Sequence, residues 1–204
     1  MTSAAIYLAS KSPRRQELLR QLGVAFDELC LREMPGRRRD VVEKPRKDEL
    51  APDYLRRIAD TKAMVGWRRM RQRGLAPRPV LGADTEVVQD GVIFGKPADA
   101  HDAMRMLALL SGRTHDVLTA ITLRWQQQNI VALSTTRVAL RKLTAAEIER
   151  YVATGESFDK AGAYAIQGRA AAFIRRIEGS YSGVMGLPLY ETAEALAKVG
   201  CPVL

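Results

Sequence analysis

Short apolar runs alternate along the chain with stretches whose apolar residues recur every three to four positions. The first pattern predicts strands at 5–9, 24–31, 79–83, 86–89, 117–124, 130–140 and 172–177, and the second predicts helices at 13–22, 52–73, 99–110, 144–154 and 189–199. Leu18, Leu19 and Leu22 mark the inner face of the first helix, and Ala103, Met106, Leu107 and Leu110 that of the third. A tract crowded with charge and proline, EMPGRRRDVVEKPRKDELAPD, reads as an excursion from the core. Helices interleaved with isolated strands, and with a strand pair near 117–140, predict an α/β fold.

The first helix opens on SKSPRR. Ser12 suits the N-cap and Pro13 suits N1, where no amide hydrogen is needed. Arg14 and Arg15 then sit at the positive end of the helix dipole, the less favourable end for a cation. Either the turn is simply solvated, or amides and guanidinium groups converge there on an anion such as phosphate.

Composition narrows the classes. Of the 204 residues, 47% are hydrophobic and 27% charged, the profile of an ordinary globular chain with enough length for a core. No apolar run is long enough to span a bilayer, and the N-terminus lacks a signal-peptide pattern. Cys30 and Cys201 show no metal-ligand spacing, which suits a reducing cytoplasm. The net charge of +9 raises the question of nucleic acid, but GRRRD and WRRMRQR lie in no recognisable nucleic-acid-binding motif. WRRMRQR also reads as a solvated helix face with Trp67 and Met70 inward. An anionic small-molecule substrate explains the same sign of charge.

The densest chemistry lies in PVLGADTEVVQDGVIFGKP. Asp84 follows a short apolar strand, where it can hold a divalent metal or orient water, or merely cap a turn. Lys96, after the Asp90-Gly91 turn, is either a phosphate-binding charge or a solvated lysine. His101 and His115 are too few and too scattered for a histidine-based zinc centre, and His115 reads as a structural or supporting group. No GxSxG, GxxxxGK[ST] or GxGxxG occurs. Further on, Asp159, Lys160 and Gln167 interrupt a glycine-rich passage. The Gln167 amide carries the donor and acceptor needed to read a base edge, and Gly162 and Gly168 let backbone approach a ligand. Tyr164, Phe173 and Tyr181 offer rings for stacking or for the core. Lys62, in YLRRIADTKA, reads by itself as a surface lysine.

Taken together, LASKSPRRQELLRQLGV, YLRRIADTKA, LGADTEVVQDGVIFGKP, MLALLSGRTHDVLTA and the block from Tyr151 to Glu191 resemble the Maf family of nucleotide pyrophosphatases, in family order over residues 8–191. The resemblance implies one Maf-type domain over 1–204, with a mixed, strongly curved sheet and two lobes around a deep cleft. It implies hydrolysis of nucleoside triphosphates between the α and β phosphorus atoms, in the cytoplasm, with Mg2+, Mn2+ or Co2+, by a protein that is often a homodimer. It makes Asp84 the catalytic base, with Lys62 and Lys96 as further catalytic groups. Arg14, Arg15, Lys62 and Lys96 become phosphate-binding groups, and Arg14, Thr85 and Gln167 choose the substrate. The IQG form of the last block resembles the dTTP and UTP branch, and the same pocket suits other or modified pyrimidine nucleotides. The family's short acidic motif is replaced after LGV by LREMPGRRRD, where Glu33 is the candidate metal-holding carboxylate beside Asp84. A non-catalytic nucleotide-binding regulator of septum formation is the competing reading, and no stable nucleic-acid or membrane partner is expected.

Overall fold

A computed structural model describes residues 5–32 and 40–203. In chain order its elements are β1 (Ile6–Leu8), α1 (Pro13–Gln21), β2 (Phe26–Glu28), α2 (Ala51–Gln72), β3 (Val80–Gln89), β4 (Val92–Phe94) and α3 (Ala100–Leu110). Then follow β5 (Thr114–Trp125), β6 (Gln128–Leu140), α4 (Ala145–Ala153), β7 (Ile174–Glu178), α5 (Tyr181–Met185) and α6 (Leu189–Lys198), with short 3-10 turns at Ala161–Ala163 and Arg169–Phe173. The strands form a mixed, open sheet in the order β2-β1-β3-β5-β6-β7, with β4 paired to β3. The expected α/β class is observed. Among the described residues no helix is long and apolar enough to cross a membrane.

The chain divides into two compact units, one of Met1–Asp84, Thr119–Ser134 and Gly186–Leu204, the other of Thr85–Leu118 and Thr135–Met185. In the first, β1 runs parallel to both β2 and β3, a pattern that requires crossover helices. The longest helix, α2, supplies a buried row at 54, 58, 62, 66 and 70, the i, i+4 spacing of a single helix face. Val65 and Met70 of α2 pack with Tyr7, Leu29 and Val80. Trp67, half-buried, meets Trp125 edge-on with ring centroids 6.0 Å apart. In the second unit, α3, α4 and the strands enclose an apolar cluster that includes Met106, Leu107, Val138, Tyr151 and Phe173.

Local signals explain most element ends. Asp99 caps α3 by accepting from the Asp102 amide at 2.8 Å. Thr144 and Glu147 form a reciprocal capping box on α4. Asp90 and Gly91, with φ of 51° and 77°, make the left-handed turn that joins β3 to β4 antiparallel.

Three expectations change. The strands expected at 79–83 and 86–89 are one strand, β3, because polar side chains at 84–86 leave the backbone ladder intact. The strand expected at 24–31 is only Phe26–Glu28. Ser12 stands at the N-cap of α1, but its side chain caps no amide. Its own amide donates instead to Ser10 Oγ at 3.2 Å.

Candidate active site

The first unit brings three charged side chains together. Lys62 lies in the buried row of α2, where the helical period calls for an apolar residue, and is 9% exposed. Its Nζ donates to Asp84 Oδ1 at 2.7 Å and stands 2.6 Å from Glu43 Oε1. Asp84, 6% exposed, sits within β3 and not at a turn, so the capping alternative is excluded. Lys62 is correspondingly no surface lysine. Both carboxylates touch one ammonium, so their bonded oxygens are no farther apart than the sum of those two distances.

Gly82 makes this meeting possible. A Cβ at position 82 would lie 2.4 Å from the Ala59 carbonyl oxygen and 2.6 Å from the Ala63 amide nitrogen. The absence of a side chain lets α2 press its backbone against β3, which sets Lys62 beside Asp84 two residues along the strand. The glycine of GADT is therefore a packing device.

The pair is demanding. Burying a lysine and an aspartate costs several kcal/mol of hydration for each ion, offset only by close contact and hydrogen bonding. One oxygen, Asp84 Oδ2, remains buried without a hydrogen-bond partner. A buried acceptor left open is expensive, and at a carboxylate it suits a water proton or a cation. The donor set is hard oxygen, of the kind that holds Mg2+ or Mn2+ through one or two carboxylates while water and phosphate supply the rest. Among the described residues no group of three or more His, Cys, Asp and Glu side chains is arranged to hold a metal alone. Glu33 lies outside the described residues, as do Met34 and Pro35.

Arg14 is half-buried in the first turn of α1. Arg15 is buried, donating from Nε to the Gly186 carbonyl at 2.8 Å and from Nη1 to Ser10 Oγ at 3.1 Å. Part of its fork is thus committed to holding α1 against the chain near Gly186.

The second unit holds the other expected residues. Thr85 is half-buried at the start of its stretch of β3, and Lys96 is exposed after β4. Gln167 is exposed between the buried Ile166 and the half-buried Gly168, and its side-chain amide makes no hydrogen bond within its loop. Tyr164 and Phe173 belong to the apolar core and are unavailable for stacking, whereas Tyr181 is half exposed. His115 is buried on β5 and shares a 2.7 Å hydrogen bond between Nε2 and the Tyr164 hydroxyl. Burial pushes its imidazole down to about 4, so it is neutral at pH 7.

Glu43 is the residue that sequence reasoning missed. It stands in VVEKP, inside the charged tract, and nothing in its spacing marks it; only its contact with Lys62 does. Lys62 had a signal, its place in an apolar helical row. Asp40 prepares the approach of this segment. Its carboxylate accepts from Arg69 at 2.6 Å and from the Arg32 amide at 2.9 Å, and those arginine contacts hold it below the usual carboxylate range despite its partial burial. The charge of Arg69, part of WRRMRQR, is thereby matched within the protein.

A mixed-sheet α/β chain with a buried lysine joined to two carboxylates, and with SPRR, GADT, GKP and AYAIQG in that order, defines a narrow class. The family model described as Maf-like protein matches residues 5–199, and the chain belongs to the Maf family. A dTTP/UTP pyrophosphatase of Nitrosomonas europaea is 53% identical over 198 residues, covering 97% of this chain and 96% of that protein. One from Nitrosospira multiformis is 56% identical over 191 residues, 94% and 92% of the two chains. Another, from Chromobacterium violaceum, is 51% identical over 195 residues, 96% and 94%.

Proposed function

We propose that this protein hydrolyses dTTP and UTP to the nucleoside monophosphate and pyrophosphate. Relatives named dTTP/UTP pyrophosphatase match almost the whole chain at more than half identity. The observation that carries the chemistry is Asp84, with Oδ1 fixed by Lys62 and Oδ2 buried and open.

In this reading Oδ2 of Asp84 takes a proton from water as the water oxygen bonds to the α phosphorus. The bridging P–O bond breaks and its electron pair leaves with pyrophosphate. Lys62 holds the carboxylate in place and, with Arg14, Arg15 and Lys96, places positive charge against the phosphate oxygens as negative charge builds up. Asp84 and Glu43 would hold a divalent cation, Mg2+, Mn2+ or Co2+, which when bound supplies further charge stabilisation. Glu33 keeps the role of an additional carboxylate. Gln167 pairs with the carbonyl and N3–H edge of thymine or uracil, and Arg14 and Thr85 assist in selection. The same reading carries a cytoplasmic location and a homodimer, the latter measurable by light scattering.

The test is a panel of dTTP, UTP, CTP, GTP and ATP, with modified pyrimidine triphosphates, each with Mg2+, Mn2+ or Co2+, scored for monophosphate and pyrophosphate. Release of both products, fastest for dTTP and UTP, is expected. Binding without pyrophosphate release overturns the proposal and points to a nucleotide-binding regulator.

A further inference from the structure

The loop that presents Gln167 is fastened along its length by bonds within the second unit. Gly162, with φ of 68°, donates its amide to the Gly95 carbonyl at 3.1 Å, next to Lys96. A Cβ there would meet Val87 Cγ2 at 2.8 Å, so only glycine lets the loop lie this close to β3. Ala163 follows with φ of 61°, a left-handed conformation that costs a non-glycine residue energy and needs support from its surroundings. The Ala165 amide donates to the Tyr151 hydroxyl at 3.3 Å, and the Arg169 amide to Glu156 Oε2 at 2.8 Å.

Between those points stands Tyr164. Its ring lies in the apolar cluster, T-shaped against the His115 ring at 5.5 Å, and its hydroxyl meets His115 Nε2 at 2.7 Å. His115 is 2% exposed, and its Nδ1 has no partner. Packing does not ask for this pair, since a phenylalanine would fill the same space with no polar atoms to satisfy. Buried polar pairs of this kind restrict a segment to one arrangement, because any other leaves both groups unpaired.

Resting on the proposed reading of Gln167 as the base-reading residue, we propose that the His115–Tyr164 bond is a positioning strut that fixes the Gln167 loop and so sets discrimination among nucleobases. The two residues touch no substrate. They act through the backbone from Tyr164 to Gln167, three residues away.

The experiment compares kcat/KM for UTP and CTP in the parent, Tyr164→Phe, Gln167→Leu and the double variant, with a thermal melt of each. Tyr164→Phe is expected to lower the UTP to CTP ratio roughly fivefold, the worth of one net hydrogen bond, chiefly through KM for UTP. In the Gln167→Leu background the same change should move the ratio no further. An unchanged ratio, an equal loss on both nucleotides, or the same fall in the Gln167→Leu background overturns the strut. An unchanged ratio in Gln167→Leu itself overturns the base-reading role, and the strut with it. Should Tyr164→Phe not fold, His115→Leu, which keeps the tyrosine and removes its hydrogen-bond partner, takes its place under the same criteria.

Discussion

Gly82→Ala tests whether the Lys62–Asp84 contact depends on the approach of α2 to β3. The added methyl would stand 2.4 Å from the Ala59 carbonyl oxygen and 2.6 Å from the Ala63 amide nitrogen, both backbone atoms that cannot rotate away. Ordinary contact distances of roughly 3.5 Å require the helix to move by about 1 Å. Overpacking of this kind costs about 1–3 kcal/mol, which for a chain of this size lowers Tm by roughly 2–12 °C. A shift of that length also stretches the 2.7 Å bond between Lys62 and Asp84 beyond hydrogen-bonding range. Misplacement of a catalytic group by about 1 Å can lower turnover roughly 100-fold. Gly66→Ala is the control. Its added methyl would meet side-chain carbons first, Val80 Cγ1 at 2.8 Å, Ala9 Cβ at 3.1 Å and Leu29 Cδ2 at 3.3 Å, and the helix gains about 1 kcal/mol of propensity. The assay is kcat/KM on UTP beside a thermal melt for each variant. Gly82→Ala should lose activity far more than Gly66→Ala. An unchanged Tm together with kcat/KM within about twofold of the parent for Gly82→Ala would refute the packing argument.

Other expectations follow from single contacts. Asp84→Asn keeps the shape and removes the proton acceptor, so turnover should fall at least roughly 100-fold while triphosphate binding, read by calorimetry, falls much less; near-normal turnover sinks the assignment. Lys96→Ala, at an exposed position, should raise KM and lower kcat without moving Tm, whereas Arg15→Ala should also lower Tm because Gly186 and Ser10 lose a donor. Equal melting losses in the two would contradict that division. His115 sits at about 4 in the fold because of burial, against about 6.5 in the unfolded chain. Between those values the unfolded chain binds a proton that the folded chain declines, so stability present above pH 6.5 is lost as the pH falls toward 4. The loss amounts to at most about 3 kcal/mol. Urea titrations at pH 7.5 and 4.5 should show the parent losing more than His115→Gln, and identical losses would exclude a neutral buried imidazole.

Much of this protein was written locally. The caps at Asp99 and Thr144, the turn at Asp90-Gly91, and the helical periods of α2, α3 and α6 depend on neighbours within a few residues, so the sequence determined them by itself. The α/β class followed from their alternation. The motif order in turn marked Asp84, Lys62, Lys96 and Gln167 as candidate site residues. What the sequence did not determine depends on partners distant along the chain. The polar triplet at 84–86 looks like a break in a strand, and remains strand because ladder bonds are made by backbone whatever the side chains are. Lys62 looks solvated until the row of α2 is laid on β3, where Gly82 admits it. Glu43 has no pattern to betray it, since a carboxylate in a charged tract is ordinary until a buried ammonium is found 2.6 Å away. Tyr164 reads as a core ring more readily than as a base-stacking one, and its burial against His115 decides for the core. Secondary structure is chosen by short-range sterics and periodicity, whereas a charged site is chosen by which groups folding removes from water together. That second choice belongs to the tertiary structure alone.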